Sequence, residues 1–453
     1  MTRRDLFAFS AEMQDLANQV FEHARSRLDH SSESLAPAPD PAVLDQCLSG
    51  ALTAHGIGAD AAFRLFTEFI APNCLAVDHP GFLAFVAHPP STAATIFDMA
   101  LSASGIFGTS WLEAAGATAA ENQALRWLVD LAGLPAGTGG VFMSGATIAN
   151  LNALAAARST WRAHHPDHNR RLAVAMTYEA HSSAKMVARA LDFEIVPVEG
   201  DARGRLTGQK LDEALNTTTH DVCAVVATAG ITNVGIVDDL ASTAEVCAQH
   251  NVWFHVDGAY GAAALVVPET RALFVGIEHA DSLVIDPHKW LYTPLDCSAL
   301  LYRNPAHARA AFTQHADYIA AFQEVGDWNP GDYGMHLTRR ARGLPFWFML
   351  ATYGADAVAC AVKASIDLAK ATARLIDQRP NLTLLMEPEL SVVVFARDGW
   401  TMTDYQCWSN QLLADGTAFV LPTLVGGEPA MRFCFVNPRT TVKDVAALLD
   451  SLD

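Results

Sequence analysis

"DSLVIDPHKWLYTPLDCSALLYRN", residues 281–304, sets an apolar run, Ser282–Ile285, directly before Asp286-Pro287-His288-Lys289-Trp290. A short apolar run of this kind reads as a strand buried on both faces, as in a parallel sheet sandwiched by helices. Lys289 therefore stands at the exit of a buried strand. The other lysines, Lys185, Lys210, Lys363, Lys370 and Lys443, stand in polar helix-like or turn-like contexts. The commonest fate of a lysine is a stem along apolar surface with its head in water. The chemical reading is a nucleophile. In a semi-apolar site beside other cationic groups its pKa is lowered, and the neutral amine attacks carbonyl carbon.

The same pattern recurs on both sides of this stretch. Strands are expected at Gly140–Met143, Leu172–Thr177, Glu194–Val198, Val222–Thr228, Val252–Val256 and Ala299–Tyr302. Helical segments, Ile148–Ala163, Ser183–Leu191, Lys210–Leu215 and Leu240–His250, fall between them. Such alternation predicts a mainly parallel α/β sheet. Upstream, Phe9, Met13, Leu16, Val20, Ala24 and Leu28 have helical spacing, and Ser31–Pro41 reads as a linker or extended arm. From about Ala351 a helix leads into a smaller module with strands at Ser391–Ala396 and Met431–Val436 and a closing helix, Val442–Leu452. Three parts are expected: a helical arm (1–90), a large α/β domain (91–350) and a small C-terminal domain (351–453).

Composition narrows the partners. The chain has 453 residues, 51% hydrophobic and 17% charged, with a formal net charge of −19. That charge argues against nucleic acid and anionic membranes as partners. No apolar run approaches the roughly 20 residues of a membrane span, and the first residues lack a signal-peptide core. The eight cysteines form no C-x-x-C pair and read as reduced thiols. A cytoplasmic enzyme is the expectation.

In open α/β sheets ligands bind beyond the carboxyl ends of the strands. After Met143 come Ser144, Gly145, Ala146 and Thr147 at a helix start, where free N–H groups and the dipole favour an anion. Taken alone, the turn reads first as an ordinary capped strand–helix junction. Neither a P-loop nor a G-x-G-x-x-G fingerprint is present. His181 follows the next strand and would face a flat ligand or cap the next helix. Thr228 ends another strand. Asp257 ends an apolar strand, where a carboxylate is costly unless paired, and Ala259 would let a ring lie close to the backbone. The histidines of 164–168 invite a metal reading, but the adjoining arginines favour a solvated loop, so no metal is expected. An anion cradle, an imidazole, a buried carboxylate and a lysine together make the kit that holds pyridoxal 5′-phosphate.

The stretches "SGATIANLNALAAAR", "TYEAHSSAKMVARAL", "ATAGITNVGIVDDL", "HVDGAYGAAAL" and "DPHKWLYTPLDCSALLYRN", in that order, resemble the group II pyridoxal-phosphate-dependent amino-acid decarboxylases. This is the family of aromatic L-amino acid decarboxylase and glutamate decarboxylase, and the likeness runs from His79 to Phe433. It implies the aspartate-aminotransferase type of fold, with a mainly parallel seven-stranded sheet, and a homodimer with active sites at the interface. Lys289 then corresponds to the lysine that carries the cofactor as an aldimine, Asp257 to the partner of the ring nitrogen, and Ala259 to the small residue beneath the ring. His181 corresponds to the stacked imidazole. Ser144, Gly145, Ala146 and Thr147 correspond to the phosphate turn, Thr228 to the threonine near the phenolic oxygen, and His288 to a phosphate or substrate contact. Arg432 resembles the arginine near the substrate carboxylate.

The implied reaction is decarboxylation of an L-amino acid, aromatic or bulky and apolar, to the amine and carbon dioxide. Alternatives are an aldehyde synthase, decarboxylation of an acidic amino acid, and a non-catalytic pyridoxal-phosphate-binding protein. An intact Lys289, Asp257 and His181 argue against the last. The family's lid tyrosine would fall within residues 315–347, with Tyr318 and Tyr333 as candidates. Phe85 and Val86 stand where pocket aromatics are expected, and His88 where a small hydroxyl residue is. Asp286 replaces a polar amide.

Overall fold

The computed structural model describes residues 6–29, 35–314 and 328–452. Its centre is a sheet whose inner strands are buried along almost their whole length. β2 (Leu172–Thr177) and β5 (Trp253–Asp257) have no residue outside the core, and β4 (Asp221–Thr228) has only its first. With β1 (Gly139–Met143), β3 (Glu194–Val198), β6 (Ser282–Ile285) and β7 (Ser298–Tyr302) they form, among the described residues, seven strands in the order β1-β7-β6-β5-β4-β2-β3. The pairs from β6 to β3 are parallel, and β7 runs against both its neighbours.

Alternate residues of each strand enter different cores. Val225 and Ala227 face one, Ala224 and Val226 the other. The first core is closed by helices that include α5 (Trp111–Leu131), α8 (Gly208–Thr217), α9 (Leu240–His250) and α11 (Leu344–Asp377). The second lies beneath α6 (Ala146–His164), α7 (Ser182–Ala190) and α10 (Pro305–Phe312). Ala149, Ala153, Ala156 and Ala157 let α6 lie close on the sheet.

The N-terminal helices α1 (Ala11–Leu28), α2 (Pro41–Leu48) and α3 (Ala59–Leu65) contain no buried residue. The first begins at Ala11, just after Phe9, the first position of the helical spacing, because Ser10 caps it. The remaining helices are α4 (Thr92–Ser104), α12 (Met402–Ala414) and α13 (Val442–Asp450). α11 has the length and mean hydropathy, 1.3, of a membrane span. It bends at Gly354 (φ 77°), and residues such as Phe346, Val362 and Ile376 are buried in the protein's own cores.

The small domain is an antiparallel sheet of four described strands, β10-β11-β9-β8, covered by α12, α13 and the end of α11. β9 (Val392–Arg397) and β11 (Glu428–Cys434) match the expected strands within a few residues. β8 (Leu382–Met386) and β10 (Leu421–Val425) were not expected. β8 is half exposed, and β10 carries a proline at an edge, so neither has a continuous apolar signature. The segment 81–83 is stitched to this domain. Leu83 N–H donates to Phe419 O at 2.9 Å, Phe419 N–H to Gly81 O at 2.8 Å, and Cys434 N–H to Leu83 O at 3.0 Å.

A buried ion pair ties α5 to the turn before α11. Arg339 meets both oxygens of Glu121 at 2.8 and 2.9 Å, with the side chains 1% and 3% exposed. Glu121 also accepts the Gly343 N–H at 2.8 Å. Removing one partner strands the other's charge, which costs far more than replacing both. Arg339→Ala should lose about 3–5 kcal/mol in denaturant unfolding, and Glu121→Leu with Arg339→Met should recover most of it. An Arg339→Ala loss under about 1 kcal/mol would contradict this account.

Candidate active site

The carboxyl ends of β1, β2, β4, β5 and β6 open onto one cavity of about 250 Å³. Its walls bring together Ser144, Gly145, Ala146, Thr147, His181, Thr228, Asp257, Ala259, His288 and Lys289, as the strand-end reading anticipates. Gly230 sits here at φ 111°, and a Cβ on it would come within 2.7 Å of Gly261 Cα. Two glycines are needed where the loops after β4 and β5 touch.

Gly145 is the N-cap of α6 and makes no side-chain capping bond. The first N–H groups of that helix have no intrahelical partner and point out of its positive end. Across the cavity, Asp257 is 7% exposed. One of its oxygens accepts from Asn150 Nδ2 at 2.8 Å, the other from the Ala259 N–H at 3.1 Å. His181 caps α7, its Nδ1 accepting the Ser183 N–H at 3.2 Å and lying 2.7 Å from the Ser183 hydroxyl. Capping and facing the cavity are therefore compatible, and Nε2 is the free nitrogen. Thr228 is fixed by its N–H, which donates to the buried Asp238 at 2.7 Å.

Lys289 departs from expectation in its charge. Nζ lies 2.9 Å from Asp286 Oδ2, a carboxylate 1% exposed. Burial by itself lowers the pKa of the lysine, but Asp286 and then Asp257 act the other way and prevail, so it is raised. The expectation of a lowered pKa is thus corrected: the charged neighbour that matters is an anion. His288 Nδ1 accepts the Cys297 N–H at 3.1 Å, which leaves its proton on Nε2, 3.5 Å from the same Asp286 oxygen. Burial holds the His288 pKa below the ordinary value.

Other expected residues stand apart from these walls. Tyr333 is in the second core, 5% exposed, its ring stacked on Trp328 at 3.8 Å. It packs there and does not line this cavity. Tyr318 lies outside the described residues. Phe85, His88 and Arg432 do not line the cavity. Arg432 is behind it, its Nε donating to the carbonyl of Thr232, a wall residue, at 2.9 Å, and its Nη1 to Phe85 O at 2.6 Å. Phe85 is held at φ 55° and is 60% exposed. The His88 pKa is lowered by burial, then by His288. Of the 164–168 histidines, His165 stacks on Trp161 at 3.9 Å and His168 meets Asp221 at 3.0 Å.

Sequence reasoning missed Asn150 and the role of Tyr260. An asparagine on the alanine-rich face of α6 was the available signal for the first. Tyr260, next to Ala259 in the strand-end motif, meets Ser391 Oγ at 2.6 Å and so joins the cavity wall to β9.

These walls fit pyridoxal phosphate: an uncapped helix N-terminus for the phosphate, a buried acceptor for a ring N–H, and an amine between them. The family model described as "Pyridoxal-dependent decarboxylase conserved domain" matches residues 57–397. An aromatic-L-amino-acid decarboxylase of Bacillus atrophaeus is 29% identical, over 97% of this chain and 94% of that protein. An L-2,4-diaminobutyrate decarboxylase of Rhizobium meliloti (strain 1021) is 31% identical, over 88% and 82%. The crystal structure of Oryza sativa TDC with PLP and tryptamine superposes with a TM-score of 0.90 at 24% identity, over 100% of this chain and 98% of that one.

Asp286→Asn should lower the Lys289 pKa, because the anion that favours the ammonium is removed. Imine formation, followed as the visible band that grows when pyridoxal phosphate is added to the cofactor-free protein, should then reach its midpoint at lower pH. An unmoved midpoint would show that Asp286 does not set the lysine's charge.

Proposed function

Because the chain belongs to the pyridoxal-dependent decarboxylase family and is a pyridoxal-phosphate-dependent carboxy-lyase of amino acids, we propose that its substrate is an L-amino acid with an aromatic or bulky apolar side chain. Phe85 carries this reading. Its ring is exposed and set edge-on to Phe419 at 5.9 Å, while its carbonyl is gripped by Arg432. An acidic side chain would want a second cation, and among the described residues lining the cavity there is no arginine.

Bound pyridoxal phosphate supplies a carbonyl carbon for amines and a ring that accepts the electrons left by departing carbon dioxide. The chain's residues do the rest. The N–H groups at the start of α6 hold the phosphate. Asp257, an acceptor at both oxygens, keeps a proton on the ring nitrogen. Lys289 Nζ anchors the cofactor and takes its proton from, or yields it to, Asp286. Arg432 Nη2 is buried and has no hydrogen-bond partner among the described residues, and it is the donor proposed for the substrate carboxylate. His181 holds its proton on Nε2 and is the group proposed to deliver it to the former α-carbon.

The exposed Val20, Phe21, Val43, Leu48, Phe66 and Ile70 of the N-terminal helices support a homodimer in which a second copy covers them.

A panel of L-amino acids, assayed for carbon dioxide, amine, ammonia and hydrogen peroxide, tests the reaction. Aromatic substrates should yield amine and carbon dioxide in equal amounts without peroxide. Peroxide with ammonia would mark an aldehyde synthase instead, and turnover confined to acidic or diamino acids would overturn the side-chain assignment. Lys289→Ala should abolish turnover and the visible band.

A further inference from the structure

Behind Asp257 lies a buried polar chain that the reaction, as derived above, does not use. Trp253, His255 and Asp257 alternate along β5 and so project to one face. Ser282 of β6 and Asn150 of α6 complete the row. Trp253 Nε1 donates to Ser282 Oγ at 2.8 Å, and Ser282 Oγ lies 2.7 Å from His255 Nδ1. His255 Nε2 lies 3.0 Å from Asn150 Oδ1, and Asn150 Nδ2 donates to Asp257 at 2.8 Å. Asn150 and Ser282 are 1% exposed and His255 is fully buried.

The direction of every bond follows from the two ends. A carboxylate only accepts, so Asn150 turns its NH₂ toward Asp257 and its oxygen toward His255. His255 Nε2 must then carry a proton. At the other end an indole N–H only donates, so Ser282 Oγ accepts from Trp253 and its own proton has His255 Nδ1 as acceptor. The imidazole is therefore neutral. Burial agrees, pushing its pKa down to about 4 although the Asp257 charge and the Ser282 backbone act upward.

We infer that Asn150 and His255 are positioning residues that fix Asp257 as an ionised double acceptor and thereby keep the cofactor's ring nitrogen protonated. The requirement is physical. Among the described residues Asp257 has no cation in direct ion-pair contact, and Lys289 acts on it only from farther off, although the carboxylate is almost wholly buried. A buried charge of that kind persists only if hydrogen bonds supply what water would. The backbone N–H of Ala259 fixes one oxygen. The other depends on Asn150, whose amide cannot flip while His255 holds its oxygen. His255 in turn is held by a serine that the indole orients.

The inference rests on the assignment of pyridoxal phosphate to this cavity, and its test separates the two. The protein is loaded with pyridoxal phosphate carrying ¹⁵N in the ring, and the visible band is recorded before the ¹⁵N spectrum. Wild-type protein should show the band and the chemical shift of a protonated ring nitrogen. Asn150→Leu removes the NH₂ at a similar side-chain volume and adds no charge. It should keep the band, move the ¹⁵N signal toward the unprotonated value and lower kcat by roughly 10- to 100-fold, the worth of one hydrogen bond to a charged group. His255→Gln, which can offer an N–H in place of Nε2–H, should restore the wild-type signal, whereas His255→Leu should not. A loaded Asn150→Leu protein with the wild-type ¹⁵N shift and kcat would overturn the positioning role and leave the cofactor assignment intact. A wild-type protein that never acquires the band would overturn both.

Discussion

A sheet buried on both faces leaves little room for polar chemistry along its strands. Most residues of β2, β4 and β5 face one of two apolar cores, so an ionisable side chain finds room where a strand runs out or, like His255, within a fully hydrogen-bonded row. The parallel arrangement then aligns those exits on one edge, and the intervening helices begin there with their positive ends. Lysine, carboxylate, imidazole and anion cradle are gathered by that constraint, although they lie far apart in the chain. The antiparallel β7 does not disturb it, because it lies beyond β6 and contributes no group to the lysine's side of the cavity.

The constraint also explains what could be read from the sequence. The large sheet was legible nearly strand for strand, since double burial writes an unbroken apolar run. The groups at the strand exits were legible for the complementary reason that they interrupt such runs. The small domain was less so. A sheet with one solvated face writes a weaker pattern, and β8 and β10 were lost in it. Side-chain partnerships were the least legible. Nothing in "DPHK" tells whether Asp286 turns toward Lys289, and the raised pKa follows only from that rotamer. Tyr333 sits in a stretch rich in loop residues, yet the indole of Trp328 draws it into the core. Asn150 and His255 look like isolated polar residues until the strand and helix bearing them are laid together.

The cavity is built by the large domain but braced by the small one. Arg432 reaches from β11 to Thr232, a wall residue, and Tyr260 reaches from the wall to Ser391 at the start of β9. The strand-like segment 81–83 adds a third tie and sets Phe85 beside Arg432. The groups proposed to meet the substrate thus come from the joint between the domains, and those proposed to hold the cofactor come from the sheet.

That joint has a thermodynamic consequence. Arg432 can grip Thr232 and Phe85 only when the small domain is docked, so a ligand that needs those contacts binds the docked form and not the parted one. By mass action such a ligand stabilises docking by RT ln(1 + [L]/Kd). Filling the cavity and holding the domains together are then a single equilibrium, and substrate concentration becomes a measure of how firmly the two halves of the molecule cohere.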